Sequence, residues 1–311
     1  MKKQMKSYLL DKRFHYFVIF FFSCIVAIPI FTLQLKLTHD GSLHILRLIG
    51  TDLSIENTSF PHLVIPIFCD NLGYSINAFY SQVATYIPYI FTAFPIHYTD
   101  ALKIFAYFTI LLSGISMYNF SYEITKKRPV ALLASIIYML SPYRFEDMYI
   151  RFALAEFTTF IFIPILFQGL YNLFQGDGTK HYYITIGAAG LILTHTITAL
   201  YIAIFSLIYI LFNFKKIKQK QILKKLLMNM LFIITITAFF WVVLLEFKTH
   251  TSYTIFDKEI MRTNRYFTYD KAINFQDFFI QGNQDINCRI GIFNILAFSV
   301  RIILMEKNKR C

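Results

Sequence analysis

Apolar residues run unbroken for long stretches of this chain, and the stretches recur at intervals set by short polar segments. The long runs match helices that can cross a hydrocarbon layer of about 30 Å, and no ten-residue alternation of a membrane β-barrel is present. The pattern predicts spans near residues 14–35, 101–120, 129–142, 153–174, 182–194, 196–213, 223–245 and 290–305. An even number of spans puts both ends of the chain on one side. The architecture expected is all-α, a polytopic helical membrane protein with about eight transmembrane helices.

Three regions depart from the simple alternation of span and turn. Residues 36–100 form a long loop that is itself aromatic and apolar in NLGYSINAFYSQVATYIPYIFTAFPIHY, interrupted by Pro88 and Pro95. Segment 82–96 is too short for a span, so helices lying at the interface with tyrosines at headgroup level are expected there. Residues 182–213 must cross twice or not at all, because basic segments flank them; a hairpin turning at Thr194-His195-Thr196 satisfies this. Residues 246–289 are polar, mixed in charge and aromatic, and are read as a second loop on the same side as the first.

Charge gives the map its sidedness. The net charge of +12 sits mostly in the remaining connections: Lys2, Lys3, Lys6, Lys12 and Arg13; Lys126, Lys127 and Arg128; Lys180; the run KKIKQKQILKK; and Lys307, Lys309 and Arg310. Asp11, Glu123, Asp177 and Glu306 are the acids among them. This is the positive-inside distribution, and it explains the basic balance without nucleic acid. Anionic lipid is a second reading of the Lys215–Lys225 run, but a topology signal suffices. A composition that is 56% hydrophobic and 18% aromatic, with mean hydropathy +0.51, fits the same picture. The basic N-terminus, 1–13, precedes an apolar run too long for a signal peptide and without a small-residue cleavage site, so a retained first helix is expected. The four cysteines have no CxxC spacing; Cys69 and Cys288 both fall outside on this map.

Ionisable residues cluster at the outer ends of the predicted spans. In THDGSLHILRLIG, Asp40, His44 and Arg47 share one helical face a few residues past the first span. A carboxylate at that depth can take a proton from a hydroxyl or hold a divalent metal, and it can equally cap a helix starting at Ser42. His39 and His44 lack the spacing of a zinc site, so no metal ligand set is assigned. His195 lies at the turn of the predicted hairpin, where bonding to neighbouring backbone competes with a functional role. In SPYRFEDMYIRFALAEF, Arg144 and Arg151 offer paired N–H donors to a phosphate, and Glu156 lies where a charge is costly unless paired; structural Arg151–Glu156 or Arg144–Asp147 ion pairs are the alternative. Nucleotide-binding and α/β-hydrolase motifs are missing.

Four stretches, DGSLHILRL, NLGYSINAFYSQVATYIPYIF, SPYRFEDMYIRFALAEFTTFIFIPILFQGLY and GLILTHTITALY, resemble in that order the bacterial multi-pass membrane proteins labelled 6-pyruvoyl-tetrahydropterin synthase-related. These are similar in turn to YfhO-like proteins and the wider GT-C glycosyltransferase fold. The resemblance spans roughly 15–215 and is most specific in SPYR…YIRFALAEF. The soluble pterin synthases hold zinc with several histidines, and no such cluster can be assembled here, so pterin chemistry is not carried over.

The GT-C likeness implies a transmembrane domain over 14–245, with its first exterior loop at 36–100 carrying the acidic residue. It also implies transfer of a sugar from a polyprenyl-phosphate donor to a cell-envelope glycan acceptor at the outer face of the bacterial cytoplasmic membrane. Asp40 would be the base or metal-linked carboxylate; Arg144 or Arg151 would steady the donor phosphate, with His44, Arg47, Glu156 and His195 as further substrate contacts. No cofactor is required, since the donor carries its energy in its phosphate ester, though a divalent metal at Asp40 fits the same chemistry. Membrane lipids are the other expected partner. Family members usually continue further, so 290–311 reads as a last short span and basic tail truncated relative to the family. A single Asp-Gly stands where many GT-C enzymes carry an acidic pair. A non-catalytic carrier or scaffold for a lipid-linked glycan, or a truncated pseudoenzyme, is therefore the alternative.

Overall fold

The computed structural model describes residues 11–55, 60–80 and 82–250, and these are helical with no strand among them. Helix α1, Lys12–Thr32, is followed by a 3₁₀ turn at Leu35–Leu37 and by α2, Gly41–Ile55. Short helices α3, Ile76–Phe79, and α4, Val83–Phe91, precede the long α5, Tyr98–Thr125. Next come α6, Arg128–Met139, α7, Pro142–Phe145, and a π-helical turn, Glu146–Arg151. Helices α8, Leu154–Gln175, α9, Tyr183–Ile192, α10, Thr196–Phe212, α11, Phe214–Ile217, and α12, Lys220–His250, complete the described chain.

Four of these helices, α1, α5, α8 and α12, are long and apolar enough to cross a membrane. The expected spans 129–142, 182–194 and 196–213 correspond to the shorter apolar helices α6, α9 and α10. At 1.5 Å per residue, α9 with its 10 residues is about 15 Å long, half of a hydrocarbon core. A turn at Leu193-Thr194-His195 separates α9 from α10. The expected span 290–305, most of the loop 246–289, and Cys288 lie outside the described residues.

Helix α5 is the axis of the bundle. It packs against α1, α6 and α8, and its buried positions Ala101, Ala106, Ser113 and Gly114 are small, so neighbouring backbones approach closely. Ser135 of α6 donates to the Gly114 carbonyl at 2.7 Å, tying these two helices. A second core gathers Leu166, Leu170, Leu173 and Phe174 of α8 with Ile184 and Leu191 of α9. Two glycines permit that contact: a Cβ on Gly169 would stand 2.4 Å from the Ile184 nitrogen, and one on Gly187 2.5 Å from the Leu166 nitrogen. Helix α10 buries no residue fully, and with α8, α9 and α12 it lines an open apolar cavity of about 600 Å³.

Connections expected on one side meet at one end of the bundle. Glu123, near the C-terminus of α5, pairs with Lys126 at 3.0 Å and Lys180 at 3.2 Å. Tyr98, at the other end of α5, donates to Asp52 of α2. The described residues of 36–97 therefore sit at the end of α5 remote from Lys126 and Lys180. Helix α2, whose buried residues include Arg47, Leu48, Thr51 and Ser54, packs on α4, and Ser54 bonds the Val64 carbonyl. Helix α4, nine residues with Pro88 inside, is far too short to span and exposes Ile90, as an interfacial helix would.

Candidate functional site

The site is built where the first loop docks on the end of α8. Glu146–Arg151 winds as a π-helix, a wider turn that places one extra residue and often marks functional positions. Phe152 ends it in the left-handed conformation, φ 52° and ψ 46°, a placement that costs a bulky residue about 1–3 kcal/mol. Burial holds it there: Phe152 is fully enclosed, its ring 5.5 Å from Phe157 and 6.4 Å from His44. The reversed backbone then points the Ile150 and Arg151 carbonyls outward. They accept the backbone N–H groups of His39, at 3.2 Å, and Asp40, at 2.8 Å. Two main-chain bonds thus fix His39 and Asp40 against the end of the π-turn.

Side chains converge around that junction. Arg151 Nη1 reaches Glu156 at 3.0 Å and Asp147 at 3.2 Å, with the Tyr143 hydroxyl at 3.4 Å; Tyr143 in turn donates to Glu156. The expected Arg151–Glu156 pair is therefore present, with Asp147 as a second carboxylate. Arg151 is 21% exposed, so the pair lies at the edge of solvent, whereas the Asp147 side chain is completely buried and its Oδ2 has no partner among the described residues. Burial first, then the neighbouring Glu156, drive the Asp147 carboxyl well above the ordinary range despite Arg151.

Asp40 stands beside this pair. Its carboxyl is raised by partial burial, with Arg151 and His39 pulling the other way and Glu156 adding to the rise. The helix it precedes does not use it as a cap: Thr38 Oγ1 accepts the Gly41 N–H at 3.1 Å, and no hydrogen bond to the Asp40 carboxylate occurs among the described residues. His44, one turn on, accepts the Leu154 N–H through Nε2 at 3.3 Å, so its proton is on Nδ1; burial, then Arg47, hold it below the usual imidazole range. Arg47 is buried, donates to Asn77 Oδ1 at 2.9 Å, and lies 4.4 Å from the centre of the Tyr80 ring. That geometry is a cation–π contact. Tyr80 also faces His44, at 6.1 Å, and His195, at 6.4 Å. His195 caps α10 through Nδ1, bonded to Thr198, and burial holds its imidazole below the usual range, with Glu156 opposing that shift and Arg151 adding to it.

Asp40, His44, Arg47, Arg151, Glu156 and His195 are thus gathered around Tyr80 and Tyr143. Arg144 points elsewhere. It is 1% exposed, bonds Ser113 Oγ of α5 at 2.5 Å, and lies over the Phe160 ring, so the alternative Arg144–Asp147 pair does not form. Tyr80, Tyr143 and Asp147 join the site without being among the candidate site residues in the sequence. Tyr143 and Asp147 lie inside the charged segment and could be found by its density; Tyr80 has no local signal. No group of three histidine, cysteine or acidic side chains able to hold a metal occurs among the described residues.

The profile of the 6-pyruvoyl-tetrahydropterin synthase related domain, described as a membrane protein, matches residues 79–309, about three quarters of the chain. The match includes Arg144, Arg151, Glu156 and His195 and begins after Asp40. An uncharacterized protein of Lactococcus lactis subsp. cremoris (strain MG1363) is 25% identical over 261 residues, covering 80% of this chain and 42% of the relative, so the chain spans less than half of that protein's length. No solved structure matches. The helical bundle and the extent of the profile match agree, and the chain belongs to the 6-pyruvoyl-tetrahydropterin synthase related family of membrane proteins.

Proposed function

We propose that this protein is a GT-C-like glycosyltransferase that takes a polyprenyl-phosphate-linked sugar at the outer face of a bacterial cytoplasmic membrane, with eight spans and both termini in the cytoplasm. The observation that carries the reading is Asp40: a half-buried carboxylate beside Arg151, with a raised pKa and freed from capping by Thr38. A carboxylate in that state is suited to accept the proton of an attacking hydroxyl. Arg151 commits only Nη1 to Glu156 and Asp147, which leaves its other N–H donors for a phosphate oxygen, while Glu156 and Tyr143 hold it in place. Buried Arg144 and Arg47 act as fixed positive charges behind the site, and His44 and His195 line its walls. Asp40 as a metal-linked carboxylate is the variant of the reading that adds a divalent ion.

Label transfer from polyprenyl-phosphate sugars in membranes carrying the protein tests this. Asp40→Ala is expected to lower transfer by about 100- to 10,000-fold, the usual contribution of a general base, with insertion unchanged. Full activity in that variant would sink the assignment.

A second reading, a non-catalytic carrier or scaffold for a lipid-linked glycan or a pseudoenzyme, is favoured by a different observation. Arg151 is flanked by two carboxylates, and its near neighbourhood is not strongly positive. It predicts that Asp40→Asn leaves function intact and that Arg151→Ala weakens lipid binding.

A further inference from the structure

A polar cavity lies beside Asp52 of α2, 12 residues on from Asp40, about 18 Å at helical rise, and on a different side of the helix. It measures about 440 Å³, within the range of small-ligand sites, and its walls include Asp52, Tyr89, Thr92, Ile96, His97 and Tyr98. Asp52 is its centre. Tyr89 donates to Oδ1 at 2.8 Å and Tyr98 to Oδ2 at 2.5 Å, so each oxygen accepts one phenolic proton and keeps a further lone pair.

The charge of that carboxylate is unmatched. Among the described residues Asp52 forms no ion pair. Lys103, one turn into α5, turns away to the Phe31 carbonyl at 3.2 Å, and Asp100 adds a second negative charge in the first turn of α5. Thr92 spends its hydroxyl on the Tyr89 carbonyl. The cavity therefore combines a carboxylate, two phenol rings, the His97 imidazole and an apolar wall. A neutral ligand leaves the charge uncompensated, and a phosphate is repelled. A calcium ion needs six to eight oxygens, many more than one carboxylate and two phenols already bonded to it supply. A primary ammonium fits: it brings donors to the open lone pairs and is attracted by aromatic faces.

We propose that this cavity binds a primary ammonium group, carried either by the headgroup of a membrane lipid or by an amino sugar. The proposal rests on the Asp52 cavity alone and stands or falls apart from the lipid-linked sugar reading.

The test is titration of the purified full-length protein with ethanolamine and glucosamine, each against its neutral analogue, ethylene glycol or glucose, in wild type, Asp52→Asn and Ile96→Trp. Asn keeps an acceptor for one tyrosine while removing the charge; Trp fills the cavity and leaves Asp52 in place. Both amines are expected to bind the wild type at least tenfold tighter than their neutral analogues, with at least tenfold loss in each variant. Stabilisation in nanodiscs of phosphatidylethanolamine over phosphatidylglycerol, abolished in Asp52→Asn, would identify a lipid headgroup as the source; glucosamine binding without that difference would identify a soluble amine. Equal binding of amine and neutral analogue, calcium in place of the amine, no binding at all, or wild-type affinity in Ile96→Trp would each overturn the proposal. Should Asp52→Asn fail to fold, Ile96→Trp decides.

Discussion

At the scale of single residues, the site is defined by which carboxylates are satisfied. Glu156 has Arg151 and Tyr143; among the described residues, one Asp147 oxygen has no hydrogen-bond partner and the Asp40 carboxylate accepts none and caps no helix. Asp147 and Asp40 both have raised carboxyl pKa values, because burial penalises their charged forms. A group that binds its proton more tightly folded than unfolded contributes stability that is full below the unfolded value and is lost as pH rises through the folded one. Thermal stability is thus expected to fall as pH rises from the ordinary aspartate range through neutral, and Asp147→Asn to flatten that slope. A wild-type slope in Asp147→Asn would contradict the burial argument. Glu156→Gln removes a charged partner of Arg151 but leaves Asp147, so a loss of about 1.5 kcal/mol is expected from thermal unfolding in detergent. The charged residues at this site could be read from sequence because ions near a membrane are rare and conspicuous. Their division of labour could not: Arg144 and Arg151 look equivalent in SPYRFEDMYIR, yet Arg144, on α7, bonds Ser113, and Arg151, at the end of the π-turn, bonds Glu156.

At the scale of elements, the apolar runs disclosed the helices and not their lengths. Runs 14–35, 101–120, 153–174 and 223–245 have their counterparts in α1, α5, α8 and α12. Residues 182–194 look like a span by hydropathy, but α9 is 10 residues long because Lys180-His181-Tyr182 belongs to the turn before it and Leu193-Thr194-His195 to the turn after. Hydropathy sums over both turns and cannot separate them. The π-turn had no signal either, since it arises from tertiary bonds to His39 and Asp40 rather than from local propensity. The α8–α9 contact makes a prediction at this scale. Gly187→Val drives a side chain into the Leu166 backbone, which has no flexible end to yield, and should cost about 1–3 kcal/mol by overpacking. Unchanged thermal unfolding of that variant would mean the two helices are not held at the separation described.

For the whole molecule, the expected sidedness rests on lysine placement, because the positive-inside bias acts on composition and needs no contacts. The structure adds that Glu123 and Lys180 meet at one end of α5 while Asp52 and Tyr98 meet at the other. Cys69 is exposed in the first loop, and Cys24 is half-buried in α1 near the Tyr107 hydroxyl. With Cys288 and Cys311 replaced by serine, a membrane-impermeant maleimide added to intact cells should label Cys69. Labelling only after permeabilisation would invert the proposed topology and remove the site from the outer face.

The central claim is that Asp40, set beside the Arg151–Glu156 pair, acts on a lipid-phosphate sugar. Its most direct test is the kinetics of label transfer from a polyprenyl-phosphate sugar by wild type, Asp40→Asn and Arg151→Ala in one membrane preparation. The account predicts that Asp40→Asn lowers kcat by at least 100-fold with KM little changed, as loss of a general base does, and that Arg151→Ala raises KM for the donor. Wild-type kcat in Asp40→Asn, or no transfer by wild type from any polyprenyl-phosphate sugar it binds, would contradict it.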